Sequence, residues 1–312
     1  MVDWCTIESA PVVFTELIER IGVDNVEVEE MWTMDDDDFA RVGDPIGLVL
    51  LFRWRASVYA TDTRATMEAR DLPGLFFAKQ IVTNACATQA ILSILLNSPA
   101  ARRDEQLAGF RDFTLACDPQ MRGEAIGGSD WIRTAHNSFA PPEPFISEQA
   151  SAAKDGDDVF HFVSLLPFEG RVLELDGLKA GPIDLGASER ADWIAVARKE
   201  IARRIEASGG DLHFTLMALV PSKLSAAREQ LAALGAAGEE GAQATLLRER
   251  IATLEAKRVR SVQANARRRH NYVPFIMKLL SLAAEKGALQ GMVKEAQATA
   301  TARREARAQN KR

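Results

Sequence analysis

The 312 residues encode an α/β domain with a central antiparallel sheet, over residues 1–221, followed by a helical extension over residues 222–312. Three observations predict this. Short β-rich runs bounded by turn residues alternate with stretches of helical periodicity. Residues 84–96 are almost wholly apolar, the mark of a buried helix. Beyond Pro221 the composition changes to Ala, Glu, Arg and Leu.

The first helix is opened by Ser9 and Pro11, carried by Phe14, Leu17, Ile18 and Ile21, and stopped by Gly22. VEVEEMW and GLVLLFRW then read as strands, separated by an acidic loop at Asp35 to Asp38 that is expected to be a solvated turn. The apolar helix NACATQAILSILL closes at Asn97, Ser98 and Pro99; Thr83 or Asn84 can cap its start, which places Cys86 in or next to the first turn. A helical region follows over residues 104–137. The stretch APPEPFISEQASAAKDGDD has the composition of a long exposed loop.

VFHFVSLLP and RVLELD form the next two strands, joined by a short turn at Phe168 to Gly170, and GLKAGPIDLG is expected to be a loop. A polar helix from about Asp192 to Arg204 and the strand LHFTLMALV complete the domain. In the extension, Leu224, Leu231 and Leu234 precede the break GAAGEEG, and Leu247, Ile251 and Leu254 follow it at helical spacing, which predicts a helical hairpin. The last residues, QATATARREARAQNKR, have too few large apolar side chains to pack and predict a frayed helix or disorder.

The net charge of −6 divides unevenly. Residues 1–220 carry 20 Lys and Arg against 36 Asp and Glu, and residues 221–312 carry 18 against 8. Such opposite fields fit docking of the two parts on each other, or an acidic face that attracts a basic substrate. The three cysteines, Cys5, Cys86 and Cys117, form no metal-binding spacing, so no metal or cofactor is expected and a reducing compartment is indicated. MVDWCTIESAP lacks the pattern of a secretory signal and the longest apolar runs are too short to span a bilayer, so the expected location is cytoplasmic and nuclear, with no membrane association.

A thiolate is favoured at a helix N-terminus beside a cationic imidazole, and Cys86 has the first condition. The midpoint between His161 and Asp176 falls between Phe168 and Glu169, inside the turn, so the two should face one another across their strands. Directly opposed residues of an antiparallel pair have Cβ atoms about 5 Å apart, which suits a carboxylate accepting from imidazole Nδ1 while the other nitrogen takes the thiol proton. Gln80, six residues before Cys86, offers an amide to a developing oxyanion, with the Cys86 N–H as second donor. Of the other histidines, His136 reads as a surface residue, His213 as part of a packed strand and His270 as part of the cationic run RRRH; none is assigned to catalysis.

GLFFAKQIVTNACATQA, VFHFVSLLP and RVLELDGLKAGPIDLG, with WCTIESAPVVFTELIERIGV and MWTMDDDDF, resemble the ubiquitin carboxyl-terminal hydrolases over nearly all of residues 3–220. RRRHNYVPFIMKLL resembles the signature of the proteasome-associated branch with a helical extension. The resemblance implies a papain-like fold with a knotted chain path, cleavage after the terminal glycine of ubiquitin, and a crossover loop over the cleft, here Phe139 to Asp158. It implies Cys86 as nucleophile, His161 as base and then acid, Asp176 as its partner and Gln80 as oxyanion donor. For partners it implies ubiquitin and the ubiquitin-receptor subunit of the proteasome cap, with a chromatin-remodelling complex as an alternative. Residues 224–258 and the tail match that branch only loosely.

Two other readings fit parts of the sequence. One keeps the triad and changes the substrate to another ubiquitin-like modifier. The other makes the chain an interaction scaffold whose basic end binds an acidic partner; nucleic acid is disfavoured, since no aromatic platform or zinc motif accompanies the charge.

Overall fold

The computed structural model describes residues 4–54, 59, 62–68, 71–99, 103–140, 160–189, 192–207, 214–238 and 241–309. The expected crossover loop, beyond its first two residues, and His213 lie outside the described residues. The chain divides into two compact units, residues 1–141 with 150–268, and residues 142–149 with 269–312.

In the larger unit, α1 (Pro11–Ile21) starts with its proline in the first turn and ends at Gly22, whose left-handed backbone (φ 113°) lets its N–H reach the Glu19 and Ile18 carbonyls. Its N-cap is Ala10, one residue after the expected Ser9. After β1 (Val26–Met31) the acidic run forms a helix, α2 (Asp36–Val42), and not a solvated turn. The carboxylates favour this because they sit at the positive end of the helix. Asp35 caps the N–H of Asp38, and buried Asp38 accepts from the Trp32 and Thr33 N–H groups.

β2 (Gly47–Arg53) and the buried α3 (Cys86–Leu95) follow. The helical region resolves into α4 (Glu105–Leu115), α5 (Pro119–Gly128) and α6 (Asp130–Asn137), with Asp104 and Asp118 capping the first two. β3 (Phe160–Phe168) and β4 (Arg171–Leu175) form a tight hairpin. The segment expected to be a loop contains an edge strand, β5 (Ile183–Ala187), that pairs with β4 across a register irregularity. The unit's sheet is completed by β6 (Phe214–Pro221), after α7 (Trp193–Ala207).

The strands lie in the order β1-β6-β2-β3-β4-β5 and every pairing is antiparallel. Both faces of the sheet are covered, which is why the central strands are continuous apolar runs without polar alternation. Val49, Phe162, Leu166 and Leu173 pack towards α1 and α3, while Leu48, Val163, Leu165 and Val172 pack with Trp193, Ala197 and Ile201 of α7.

Two further helices belong to this unit. α8 (Lys223–Ala236) is capped by Ser222, and α9 (Ala242–Arg268) runs back along it after Gly238, burying Ala227, Ala244 and Leu247. The end of α9 is tied to α1, where buried Asn265 donates to the Val12 carbonyl (2.9 Å) and to Glu16 (2.7 Å).

The smaller unit contains α10 (Val273–Glu285) and α11 (Leu289–Gln309), separated by Gly287 in the left-handed region. Of the frayed helix or disorder expected for the tail, the structure has helix, α11 continuing through Gln309; its Ala- and Arg-rich composition has high helix propensity. Among the described residues no helix is long and apolar enough to cross a membrane, and no group of His, Cys, Asp and Glu is placed to hold a metal.

Candidate active site

Cys86 is the first residue of α3. Ala85 occupies the N-cap and no side chain caps the helix, contrary to the expected Thr83 or Asn84. Asn84 is instead in the left-handed region (φ 67°) and its amide donates to the Trp4 carbonyl, which turns the chain sharply into the helix. The first-turn N–H groups therefore have no side-chain acceptor, and they point along the positive end of the helix dipole beside the half-buried sulfur.

His161 and Asp176 are both buried and joined by a 2.8 Å hydrogen bond. The expected contact exists, but two details differ. The β3–β4 ladder pairs Phe168 with Arg171 and Ser164 with Leu175, so the turn is centred between Glu169 and Gly170, and Asp176 is not directly opposite His161. Glu169 (φ 46°) and Gly170 (φ 75°) both have positive φ, as a two-residue hairpin turn requires. Continued one way, this register sets His161 opposite Leu178, a slip of two positions. Side chains alternate with a period of two, so that slip leaves Asp176 on the same face and within diagonal reach.

The ring is also turned over. Nε2, not Nδ1, faces Asp176 Oδ1, and since a carboxylate only accepts, Nε2 carries the proton. The other hydrogen-bonding partner acting on the ring is Cys86. By strand alternation His161 lies on the face of Val163 and Leu165, towards α7, whereas α3 covers the opposite face. Cys86 packs with the cluster on that opposite face and is nonetheless a hydrogen-bond partner of the ring, and β4 stops at Leu175, one residue short of Asp176. Gln89, one turn into α3, lies against Gly177 there, and a methyl group at Gly177 would meet its amide nitrogen at 2.3 Å.

Burial opposes charge on His161, but the bond to Asp176, the bond to Cys86 and the negative field of both partners outweigh it, and its pKa is pushed up to about 9. Burial likewise pushes Asp176 up; the His161 bond and charge, the Leu178 N–H and the Tyr59 hydroxyl together hold it below the ordinary carboxylate range. At neutral pH the site thus holds an imidazolium fixed to a carboxylate, facing a sulfur at a helix N-terminus. That is the layout of nucleophilic acyl transfer by a thiol.

Gln80 is half-buried, and its N–H donates to the Gly177 carbonyl at 2.9 Å. This places the strand-like segment carrying Gln80 beside the turn that follows Asp176. Buried Arg122 of α5 donates to the Leu75 and Phe77 carbonyls and so fixes the approach to Gln80.

Three contributors had no sequence signal as strong as the triad. The Tyr59 hydroxyl donates to Asp176 Oδ2 at 2.8 Å from 117 residues away. The Leu178 N–H donates to Asp176 Oδ1 at 2.9 Å. Gly177 permits the close packing of Gln80 and Gln89; only the Asp-Gly pair at 176–177 hinted at a turn.

His136 corrects the sequence reading outright. It is fully buried, not on the surface, bridging Thr88 (2.7 Å) and the Cys5 carbonyl (2.7 Å) beside Trp4. The amphipathic pattern of α6 leaves its inward face open to a histidine whose two nitrogens both find partners. His270 is exposed against Tyr272.

The arrangement defines a cysteine peptidase, and comparison with known proteins specifies its kind. Residues 4–206 match the model of ubiquitin carboxyl-terminal hydrolase family 1, and residues 244–289 match a second ubiquitin carboxyl-terminal hydrolase model. A ubiquitin carboxyl-terminal hydrolase isozyme L5 of Dictyostelium discoideum is 36% identical over 332 aligned positions, spanning 94% of this chain and 95% of the relative. Ubiquitin carboxyl-terminal hydrolase 2 of Schizosaccharomyces pombe is 39% identical over 284 positions, spanning 90% of each. The crystal structure of Trichinella spiralis UCH37 bound to ubiquitin vinyl methyl ester superposes with a TM-score of 0.66 at 33% identity, covering 83% of this chain and 99% of that one. The chain belongs to the ubiquitin carboxyl-terminal hydrolase family, as a ubiquitinyl hydrolase of the cysteine peptidase class with the papain-like α/β fold and a C-terminal helical extension.

Proposed function

We propose that Cys86 is the nucleophile, His161 the proton carrier, Asp176 the group that orients it and Gln80 an oxyanion donor, in hydrolysis of the bond after the terminal glycine of ubiquitin. The single observation that carries this is His161, bonded through Nε2 to Asp176 and also a hydrogen-bond partner of Cys86 at the start of α3. The sulfur attacks the glycine carbonyl carbon and the carbonyl oxygen becomes an oxyanion, accepted by the Gln80 amide and the Cys86 N–H. Collapse expels the amine, which takes the proton of His161 Nδ1, and leaves a thioester. Water then adds to the thioester as His161 removes its proton, and the carboxylate leaves as the thiol re-forms.

The tail of ubiquitin, flexible and basic near its end, suits the acidic first part of the chain. The likeness to an isozyme L5 and to UCH37 supports recruitment by residues 222–312 to the ubiquitin-receptor subunit of the proteasome, with a chromatin-remodelling complex as alternative partner and the cytoplasm and nucleus as location. The proposed division at Pro221 rests on the end of β6 and the reversal of charge there.

Cys86→Ala tests the centre of this reading. Turnover of a ubiquitin-amide substrate should vanish while ubiquitin binding persists, and retained turnover would exclude this nucleophile. A panel of modifier-based substrates separates ubiquitin from its relatives. For recruitment, a chain ending at Arg268 keeps the larger unit whole and should lose proteasome association; undiminished association would remove the role of the helices beyond it.

A further inference from the structure

We propose that Tyr59 is a positioning residue for the reaction, holding the Asp176 carboxylate at the rotation in which Oδ1 points at His161. This rests on the triad reading above.

The two oxygens of Asp176 have different tasks. Oδ1 accepts from His161 Nε2 (2.8 Å) and from the Leu178 N–H (2.9 Å), while Oδ2 accepts from the Tyr59 hydroxyl (2.8 Å). Two donors on one oxygen fix its position but leave the carboxylate free to rock about its own axis. A third donor on the other oxygen removes that freedom, and it leaves neither oxygen of the buried carboxylate without a partner.

Tyr59 is itself held by the turn it serves. The Lys179 N–H closes that turn on the Asp176 carbonyl (2.9 Å), and the Lys179 ammonium lies 4.2 Å from the centre of the Tyr59 ring. The same ammonium pairs with Asp62 at 3.0 Å, and Asp62 pairs with Arg64, which reaches Glu174 of β4 and Glu200 of α7 at 2.9 and 2.8 Å. Met67 further along donates to the Pro182 carbonyl at 2.7 Å. Asp62, Arg64 and Met67 are thereby fastened along β4 and β5, and the hydroxyl of Tyr59, a few residues earlier, is set on Oδ2. Burial and the Asp176 charge both raise the phenol's pKa, so it stays a donor throughout the working range.

The test is Tyr59→Phe in the full chain, which removes one oxygen and keeps the ring on Lys179. The charged and titratable groups facing the site are Cys86 from α3, His161 from β3 and Asp176 after β4, with Lys179, Glu174 and Arg204 around the phenol. We expect kcat on a ubiquitin-amide substrate to fall about tenfold, the scale of one hydrogen bond to a charged group, with KM unchanged. The alkaline limb of the kcat profile should move to lower pH, because a carboxylate free to rotate holds the imidazolium less well. A purely structural tyrosine would not move that limb. A limb that stays in place or moves to higher pH would overturn the proposal.

The Asp176→Asn background distinguishes the two levels of argument. Tyr59→Phe should add little there, and a full additive loss would show that the phenol does not act through Asp176. If Asp176→Asn alone keeps the wild-type rate, the triad reading fails and this inference falls with it. If Asp176→Asn is slow while Tyr59→Phe is not, the triad stands and only the role of Tyr59 is lost.

Discussion

His161 donates to Asp176 at 2.8 Å although no rung of the β3–β4 ladder joins the two residues. The bond survives because a slip of two positions keeps both side chains on one face, where a slip of one would have turned Asp176 away. Asp176→Asn keeps the shape but can offer Nε2 an amide nitrogen in place of an acceptor, and it removes the charge that holds the imidazolium. The kcat should fall on the order of 10⁴-fold, as for another triad in which the orienting carboxylate is neutralised. Steady-state kinetics at pH 7.5 checks this, and a rate within threefold of wild type would remove the orienting role.

The raised pKa of His161 has a consequence for stability whose sign is opposite to that of most histidines buried without a charge partner. The unfolded ring titrates near 6.5 and the folded ring at about 9. Between these values the folded state binds the extra proton, so the stabilisation is complete below about pH 6.5 and is lost as pH rises through about 9. The difference amounts to on the order of 3 kcal/mol. Urea unfolding of wild type and His161→Gln at several pH values between 6 and 9.5 should show a gap that narrows by a few kcal/mol towards the alkaline end. A gap independent of pH would contradict the assignment.

Gly177 has no strained backbone to explain it; its requirement is space. A Cβ there would lie 2.3 Å from the Gln89 amide nitrogen and 2.8 and 2.9 Å from Gln80 Cβ and N. The Gln80 backbone cannot yield easily, because its N–H is bonded to the Gly177 carbonyl. Gly177→Ala should therefore destabilise the fold by about 1–3 kcal/mol, in line with overpacking elsewhere. It should also lower kcat at a temperature where the variant is still folded, by displacing Gln80. Thermal melting and kinetics on the same sample separate the two effects, and an unchanged kcat would mean that Gln80 does not need this packing.

The strands and the buried helix were legible because each has a strong local signature, and the His161–Asp176 contact was legible from the hairpin that joins their strands. β2, β3 and β6 are apolar runs bounded by turns, and Cys86 opens a run without a charge. What was not legible depended on contacts distant in sequence. That Nε2 and not Nδ1 faces Asp176 is a matter of ring orientation, which strand register does not set. The place of Tyr59 follows from Lys179 and from three acidic residues, Glu174, Asp176 and Glu200, all more than a hundred positions away. The β5 strand was hidden because Gly181, Pro182 and Gly186 read as loop residues; the first two precede the strand, and its edge position tolerates Gly186. The acidic run at Asp35 to Asp38 read as a turn because its charges were weighed without the helix dipole that accepts them.

His136 offers the converse of the His161 experiment within the same molecule. Its Nε2 must donate, since the Cys5 carbonyl only accepts, and its Nδ1 then accepts from the Thr88 hydroxyl. Burial lowers its pKa, and the Cys5 bond offsets this only in part, so the folded state holds the ring neutral. Below about pH 6.5 the unfolded chain takes up a proton that the folded chain resists, and stability is lost as pH falls from there through the folded pKa. His136→Gln retains one donor and one acceptor on a side chain without that titration, at a cost of about 1–3 kcal/mol near pH 7.5. The stability gap between wild type and variant should then shrink as pH is lowered from 7 to 5, the reverse of the direction expected for His161→Gln. Parallel curves over that range would mean that His136 is not held neutral by its burial, and that its contacts with Thr88 and Cys5 adapt to the charged ring.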